Sequence, residues 1–289
     1  MKIILIGKNG QLGGEIAKDA SLFDFEIFSF DRDEIDVSEP MQLEEKIREI
    51  KPDAVINTSA YHVLPKCEEH PWEAMKINFV AVGEMARSCK KYGAKFVTYS
   101  TDYVFNGKKG VPYGESDKID PLQFYGVSKC AGEFAALNLY PEGSFVVRTC
   151  GLYGGMTGSP EKGGNFVLNI IKEGREKEIV EVSSEQVVSP TYAGDLSKAT
   201  LSLLKKRIDP GIYHLVNEGS CSWYEFAREI FRLAGIGTRL VPADRGSSSG
   251  AMKRPAFSAL SNTKAKAKGI VLPSWREGLA SYIRSLMVP

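Results

Sequence analysis

The chain has 289 residues, 43% of them hydrophobic, with 37 basic against 36 acidic side chains and a formal net charge of +1. That length can bury a large core as one doubly wound domain with a smaller lobe, while the near-neutral balance argues against nucleic acid or an anionic membrane as partner. Five cysteines without CxxC or Cys/His ligand spacing argue against a metal site and suit free thiols in a reducing cytoplasm.

The opening run Met1–Ile6 is apolar and rich in β-branched residues, which predicts a strand; it is too short for a signal peptide, and no stretch approaches a membrane span. It leads into Gly7-Lys8-Asn9-Gly10-Gln11-Leu12-Gly13, which opens a helix. A strand, a GxxGxxG turn and a helix N-terminus set backbone N–H groups against a pyrophosphate. Side chains at those glycines would block the turn or the approach of the phosphate. A second strand over 26–30 ends at Asp31-Arg32, about where an acidic residue meets an adenosine ribose. Asp31 favours a free 2′-hydroxyl and Arg32 would accept a 2′-phosphate, so the choice between NADH and NADPH stays open. Residues 38–50 read as a helix with Pro40 in its first turn. Residues 53–57 read as a strand followed by Thr58, Ser59, Ala60 and Tyr61 at its ligand-facing end. Residues 72–92 read as one further helix, with Met75, Phe79, Val82 and Met85 in the core.

The next strand, 95–100, ends in Ser100, Thr101, Asp102 and Tyr103, and a Gly/Pro/Asp-rich loop carries the chain to Tyr125 and Lys129. At i and i+4 of a helix these two side chains share a face. A phenol titrates near ~10 and needs a stabilised anion to move protons at neutral pH; an ammonium one turn away provides that. With a strand-end hydroxyl beside it, the pair suits proton transfer at a carbonyl oxygen. Another strand over 145–148 completes an alternation of strand and helix that predicts a Rossmann-like, doubly wound parallel sheet over 1–150.

Residues 151–289 read mainly as a smaller α/β substrate-binding lobe, with some segments returning to the first domain. Its expected parts are a loop over 156–164, a helix from 165, a short strand over 178–182 and a turn over 189–192. A helix over 193–204, a strand over 211–217 and a capping-box helix from Ser222 follow. The run 246–250 is the most flexible-looking stretch. His62, His70 and His214 read as structural or surface residues, and Trp223 and Trp275 as packing of the lobe.

The motifs GKNGQLG, STDYVFNG, YGVSK, LYG, SPTYAGDL, SWYEFA, KRPAFSAL and LPSWREGL, spread over nearly the whole chain, resemble the extended short-chain dehydrogenases/reductases, and among them the dTDP-4-dehydrorhamnose reductase family. The resemblance implies reduction of a nucleoside-diphosphate 4-keto-6-deoxy sugar by NADPH or NADH, in the cytoplasm, with a homodimer among the compatible assemblies. It implies Thr101, Tyr125 and Lys129 as the catalytic set. The cofactor would meet Gly7, Asn9, Gly10, Gln11, Leu12, Gly13, Asp31, Arg32, Ser59, Ala60, Tyr61, Tyr125 and Lys129. Substrate would meet Ser100, Asp102, Tyr103, Gly151, Gln186, Thr191 and Arg254. Related sugar dehydratases resemble T-D-E where this chain has Tyr103, so the extra base of a dehydratase is missing. The chain departs from its family at His62, Pro65 and Gly151, the last in place of a bulky tryptophan. Those departures predict a wider, less polar sugar pocket unless His62 or a residue from the 156–164 loop fills the space. A different nucleotide sugar, or a reductase-like regulatory subunit that binds NAD(P), is the alternative.

Overall fold

An apolar run without alternation is what a strand covered on both faces needs, and Ile3, Ile4, Leu5 and Ile6 are all buried. In the computed structural model, which describes residues 1–155, 163–243 and 252–287, this run is β1 (Lys2–Ile6), followed by α1 (Gln11–Asp19) and β2 (Glu26–Phe30). Next come α2 (Pro40–Ile50), β3 (Ala54–Asn57), α3 (Leu64–Glu69), α4 (Pro71–Met75), α5 (Ala81–Tyr92) and β4 (Lys95–Thr101). The first half closes with α6 (Phe124–Leu139) and β5 (Ser144–Thr149).

Beyond Thr149 the chain forms β6 (Leu152–Tyr153), α7 (Phe166–Glu176), β7 (Ile179–Ser183), β8 (Val187–Val188) and β9 (Thr191–Tyr192). It continues through α8 (Ala193–Lys205), β10 (Gly211–His214), β11 (Cys221–Ser222), α9 (Trp223–Ala234) and β12 (Arg239–Ala243). Two helices, α10 (Thr263–Ala267) and α11 (Trp275–Met287), end the described chain.

The central sheet has the order β10-β5-β4-β3-β1-β2 and is parallel throughout. The chain winds outward from β1 in both directions, so a crevice opens at the C-terminal ends of β1 and β3, the usual ligand position in such sheets. One face of the sheet packs on α1 and α8 through Leu12, Ile16, Leu196 and Leu203. The other packs on α2, α5 and α6 through Leu43, Ile47, Met85 and Ala136. Strand β10 thus joins the sheet of the first half, while α7, α9 and α11 gather round Tyr153, Phe226 and Trp275 in a separate core.

Three elements differ from expectation. The helix over 72–92 is interrupted by a π-helical stretch, Lys76–Val80. That stretch turns Asn78 inward and leaves Met75 and Phe79 only partly buried. The turn over 189–192 contains β9, whose Thr191 and Tyr192 pair with Leu152 and Tyr153. The strand predicted over 211–217 stops at His214, because Val216 is held by Asn262 through its N–H (3.0 Å) and carbonyl (2.6 Å). The loop over 156–164 lies mostly, and the run 246–250 wholly, outside the described residues.

All five cysteines are free and buried. Among the described residues no helix is long and apolar enough to cross a membrane.

Candidate active site

The glycine turn is built by close approach. Gly7 takes φ +88°, and a Cβ there would lie 2.6 Å from Thr58 Oγ1. A Cβ on Gly13 would come within 2.1 Å of the Gly7 carbonyl oxygen, so only glycine lets α1 close on the turn. Helix α1 starts with no side-chain cap and no acidic residue in its first turn, which leaves its N–H groups for an anion. These features fit a dinucleotide pyrophosphate. At the end of β2, Asp31 accepts from Asn9 Nδ2 at 3.0 Å and from the Asp33 N–H at 3.1 Å. Arg32 beside it is exposed.

The segment after β3 is held by a residue that sequence reasoning passed over. Asn78 Oδ1 accepts from the Tyr61 N–H at 3.0 Å, and its Nδ2 donates to the Tyr61 carbonyl at 2.9 Å and to Ser128 Oγ at 3.0 Å. It thereby ties Ser59-Ala60-Tyr61 to the helix that carries Tyr125 and Lys129. An asparagine inside an apolar helix pattern was the available signal.

Strand β4 delivers Ser100 and Thr101 to the crevice, and a 3₁₀ turn, Asp102–Val104, follows. The Thr101 hydroxyl donates to Asp102 Oδ1 at 3.0 Å and accepts from the Tyr103 N–H at 3.2 Å. Helix α6 is capped by Gln123, whose Oε1 accepts from the Gly126 N–H at 2.7 Å, and it aims Tyr125 and Lys129 into the same crevice. Burial pushes the Tyr125 phenol above its ordinary range, and Asp102 adds to the push, while a hydrogen bond with Thr101 opposes it. Burial brings the Lys129 ammonium down to about 8, against the opposing pull of Glu133. Asp102 is itself buried and raised by that burial, with Ser258, Cys150 and Thr101 as hydrogen-bond partners that favour its charged form.

Behind α6, Glu133 grips Arg148 of β5 through two bonds, Nε to Oε1 at 2.8 Å and Nη2 to Oε2 at 2.6 Å, with both residues buried. His214 has Tyr113 O at 3.0 Å from Nδ1 and Arg148 Nη1 at 3.4 Å from Nε2. The carbonyl asks Nδ1 for a proton and the guanidinium asks Nε2 for a lone pair, which assigns the neutral Nδ1–H tautomer. Burial, first, and Arg148 hold this imidazole down to about 3.

These elements border one cleft of about 1620 Å³. Gly7, Asn9 to Gly13, Asp31, Arg32, Ser59, Ala60 and Tyr61 line it, together with Ser100 to Tyr103, Tyr125, Lys129, Gly151, Gln186 and Arg254. Thr191 is the exception: it is fully buried, donates to Ser189 O at 3.0 Å, and is not part of the lining. The pairing of β9 with β6 turns it away. His62 and Pro65 also line the cleft, as do Phe166 and Trp223, which sequence reasoning had not placed there.

A parallel sheet of this order, carrying a Tyr/Lys pair beside its fourth strand and a glycine turn after its first, defines the extended short-chain dehydrogenase/reductase class. Within it, the model of the RmlD substrate binding domain family matches residues 1–288, and the chain belongs to that family. It is 34% identical to the spore coat polysaccharide biosynthesis protein SpsK of Bacillus subtilis, over 98% of this chain and 97% of that one. Among solved structures, a dTDP-4-dehydrorhamnose reductase from Clostridium acetobutylicum matches with a TM-score of 0.93 at 35% identity, covering 100% of both chains. The Bacillus anthracis dTDP-4-dehydrorhamnose reductase in complex with NADP matches with a TM-score of 0.91 at 34% identity, covering 98% of this chain and 99% of that one.

Proposed function

We propose that the chain is an NAD(P)H-dependent reductase of a nucleoside-diphosphate 4-keto-6-deoxy sugar, with dTDP-4-dehydrorhamnose as substrate and dTDP-rhamnose as product. The observation that carries this reading is the meeting of Thr101, Tyr125 and Lys129 in one cleft with the Gly7–Gly13 turn, in a chain of this family. The nicotinamide nucleotide, when bound, supplies a hydride to the keto carbon. The protein's part is the oxygen: Tyr125 gives it a proton, Thr101 hydrogen-bonds it, and Lys129 lowers the cost of the phenolate that remains.

Both groups rest in the protonation states that this direction uses. A phenol raised above its ordinary value rests fully protonated, as an acid must, and an ammonium near 8 is mostly charged at neutral pH. Position 103 also favours reduction over dehydration. Its tyrosine ring meets Tyr125 edge-on, with centroids 6.2 Å apart, where removal of a proton beside the carbonyl would call for a carboxylate base. Arg254 lines the cleft wall and in this reading is the cationic partner of the diphosphate.

The test is oxidation of NADPH and NADH followed across a panel of nucleoside-diphosphate 4-keto sugars. Turnover that is fastest with dTDP-4-dehydrorhamnose is the expected result. Fastest turnover of another member would keep the reductase and replace the sugar, and no oxidation with any member would overturn the reading.

A further inference from the structure

Beside the proton-transfer groups, the cleft is lined by Phe166 and Trp223, which have no part in that chemistry. Trp223 is the first residue of α9, and its backbone is fixed on both sides. Its N–H donates to Gln186 O at 3.3 Å, and Ser222 before it is locked in a reciprocal cap with Glu225, at 3.1 Å and 2.8 Å. Phe166 supports the indole with ring centroids 4.5 Å apart, and Phe226 meets it edge-on at 6.1 Å. Phe226 is fully buried, whereas Trp223 and Phe166 are partly exposed and both line the cleft.

The rim of the indole reaches over Gly151. A Cβ built on Gly151 would lie 3.5 Å from Trp223 Cη2 and 3.2 Å from the Cα of Pro190. Gly151 follows Cys150, which hydrogen-bonds Asp102, and Thr149 before it pairs in register with Thr101. The indole therefore stands beside the strand ends that carry Thr101 and Asp102. A rigid aromatic face there offers a large apolar surface at low entropic cost, and it suits the C–H face of a pyranose whose oxygens are held by hydroxyls elsewhere.

We propose that Trp223, backed by Phe166, is the specificity-determining platform for the sugar ring, with Gly151 kept small so that the indole can lean over it. This rests on the reductase reading above. It accounts for the space left by Gly151: the aromatic wall is supplied by another element. A substituent at position 151 would then compete with the indole for the same volume.

Two measurements test the proposal. Of the three tryptophans, Trp72 is 79% exposed, Trp275 is 2% exposed, and neither lines the cleft, so a sugar seated on Trp223 has its own optical signal. Adding dTDP-rhamnose to the NADP⁺-saturated protein should change tryptophan emission, dTDP alone should not, and Trp223→Phe should abolish the change. In steady state, Trp223→Ala should raise KM for the 4-keto sugar nucleotide by at least about tenfold, with KM for NADPH within about twofold. Trp223→Phe should recover most of the loss. An emission change that persists in Trp223→Phe, or an unaltered sugar KM in folded Trp223→Ala, would overturn the proposal. So would an equal loss for sugar and cofactor, the mark of a ring that merely supports the lobe. If the wild type turns over no sugar, the reductase reading fails, and the emission titration still decides the role of Trp223.

Discussion

The Thr101 hydroxyl donates its proton to Oδ1 of the adjacent Asp102, 3.0 Å away. A hydroxyl has one proton to give. While Asp102 holds it, Thr101 acts as an acceptor, from the Tyr103 N–H. To bond a substrate oxygen it must turn that proton away from Asp102. Burial makes the Asp102 carboxyl easier to protonate, and a protonated Asp102 could donate to Thr101 and release its hydrogen toward the substrate. Asp102 is a positioning residue in this account.

Asp102→Asn keeps the shape and removes the charge. Its amide donates to Thr101 at every pH, as the protonated carboxyl would, so kcat should stay within about tenfold of wild type, ~1.4 kcal/mol, while KM for NADPH stays unchanged. The productive carboxyl is the protonated one, so any loss of kcat with rising pH that belongs to Asp102 should disappear. A variant whose pH profile of kcat is unmoved would remove Asp102 from the mechanism.

Lys129 sets the alkaline side. Its ammonium titrates at about 8, lowered chiefly by burial, so the charge that would steady the phenolate is present below that pH and lost above it. kcat/KM for the cofactor, which reports groups of the free enzyme, should decline above about pH 8. Stability runs the opposite way. An unfolded lysine keeps its proton to ~10.4, so between those values the unfolded chain binds more protons and this residue's contribution to stability rises with pH. The unfolding free energy of wild type minus that of Lys129→Met should therefore increase from about pH 7 to about pH 9.5. A decrease would mean that the ammonium is not held down by burial.

Much of this site is legible because its constraints are local. Gly7 and Gly13 are set by contacts inside one turn, and Tyr125 and Lys129 by a single helical spacing. Trp223 was harder: its motif reads as lobe packing, and only the tertiary fold brings the start of α9 beside Gly151. Asn78 was hidden because nothing in an apolar helix pattern announces a π-helical stretch. Thr191 read as substrate-facing because it follows a serine and a proline near a strand end. Pairing with β6 decides its direction, and that pairing joins residues far apart in the chain.

Cofactor choice follows from the end of β2. Asp31 and Arg32 are adjacent on the cleft, one suited to a ribose hydroxyl and the other to a phosphate. Discrimination between NADH and NADPH should be modest, within about tenfold or ~1.4 kcal/mol. Arg32→Ala should weaken NADPH more than NADH in a direct titration. An equal effect on both would put Arg32 away from the 2′ position.

The Glu133–Arg148 pair predicts a stability effect. Removing one partner of a buried pair leaves a charge without its counterion and costs about 3–5 kcal/mol. Glu133→Leu and Arg148→Met should each lower the midpoint of urea unfolding, and the double variant should recover most of the loss. Additive losses in the double variant would show that the two side chains are not coupled.

With Tyr125 as the acid that protonates the oxygen formed when the sugar is reduced, one substitution is decisive. Tyr125→Phe removes a single hydroxyl and leaves the ring in place. kcat for NADPH oxidation with dTDP-4-dehydrorhamnose, compared with wild type at saturating cofactor, should fall by about 10²–10⁴-fold, with NADPH affinity preserved. A Tyr125→Phe enzyme that turns over at near the wild-type rate would contradict the account.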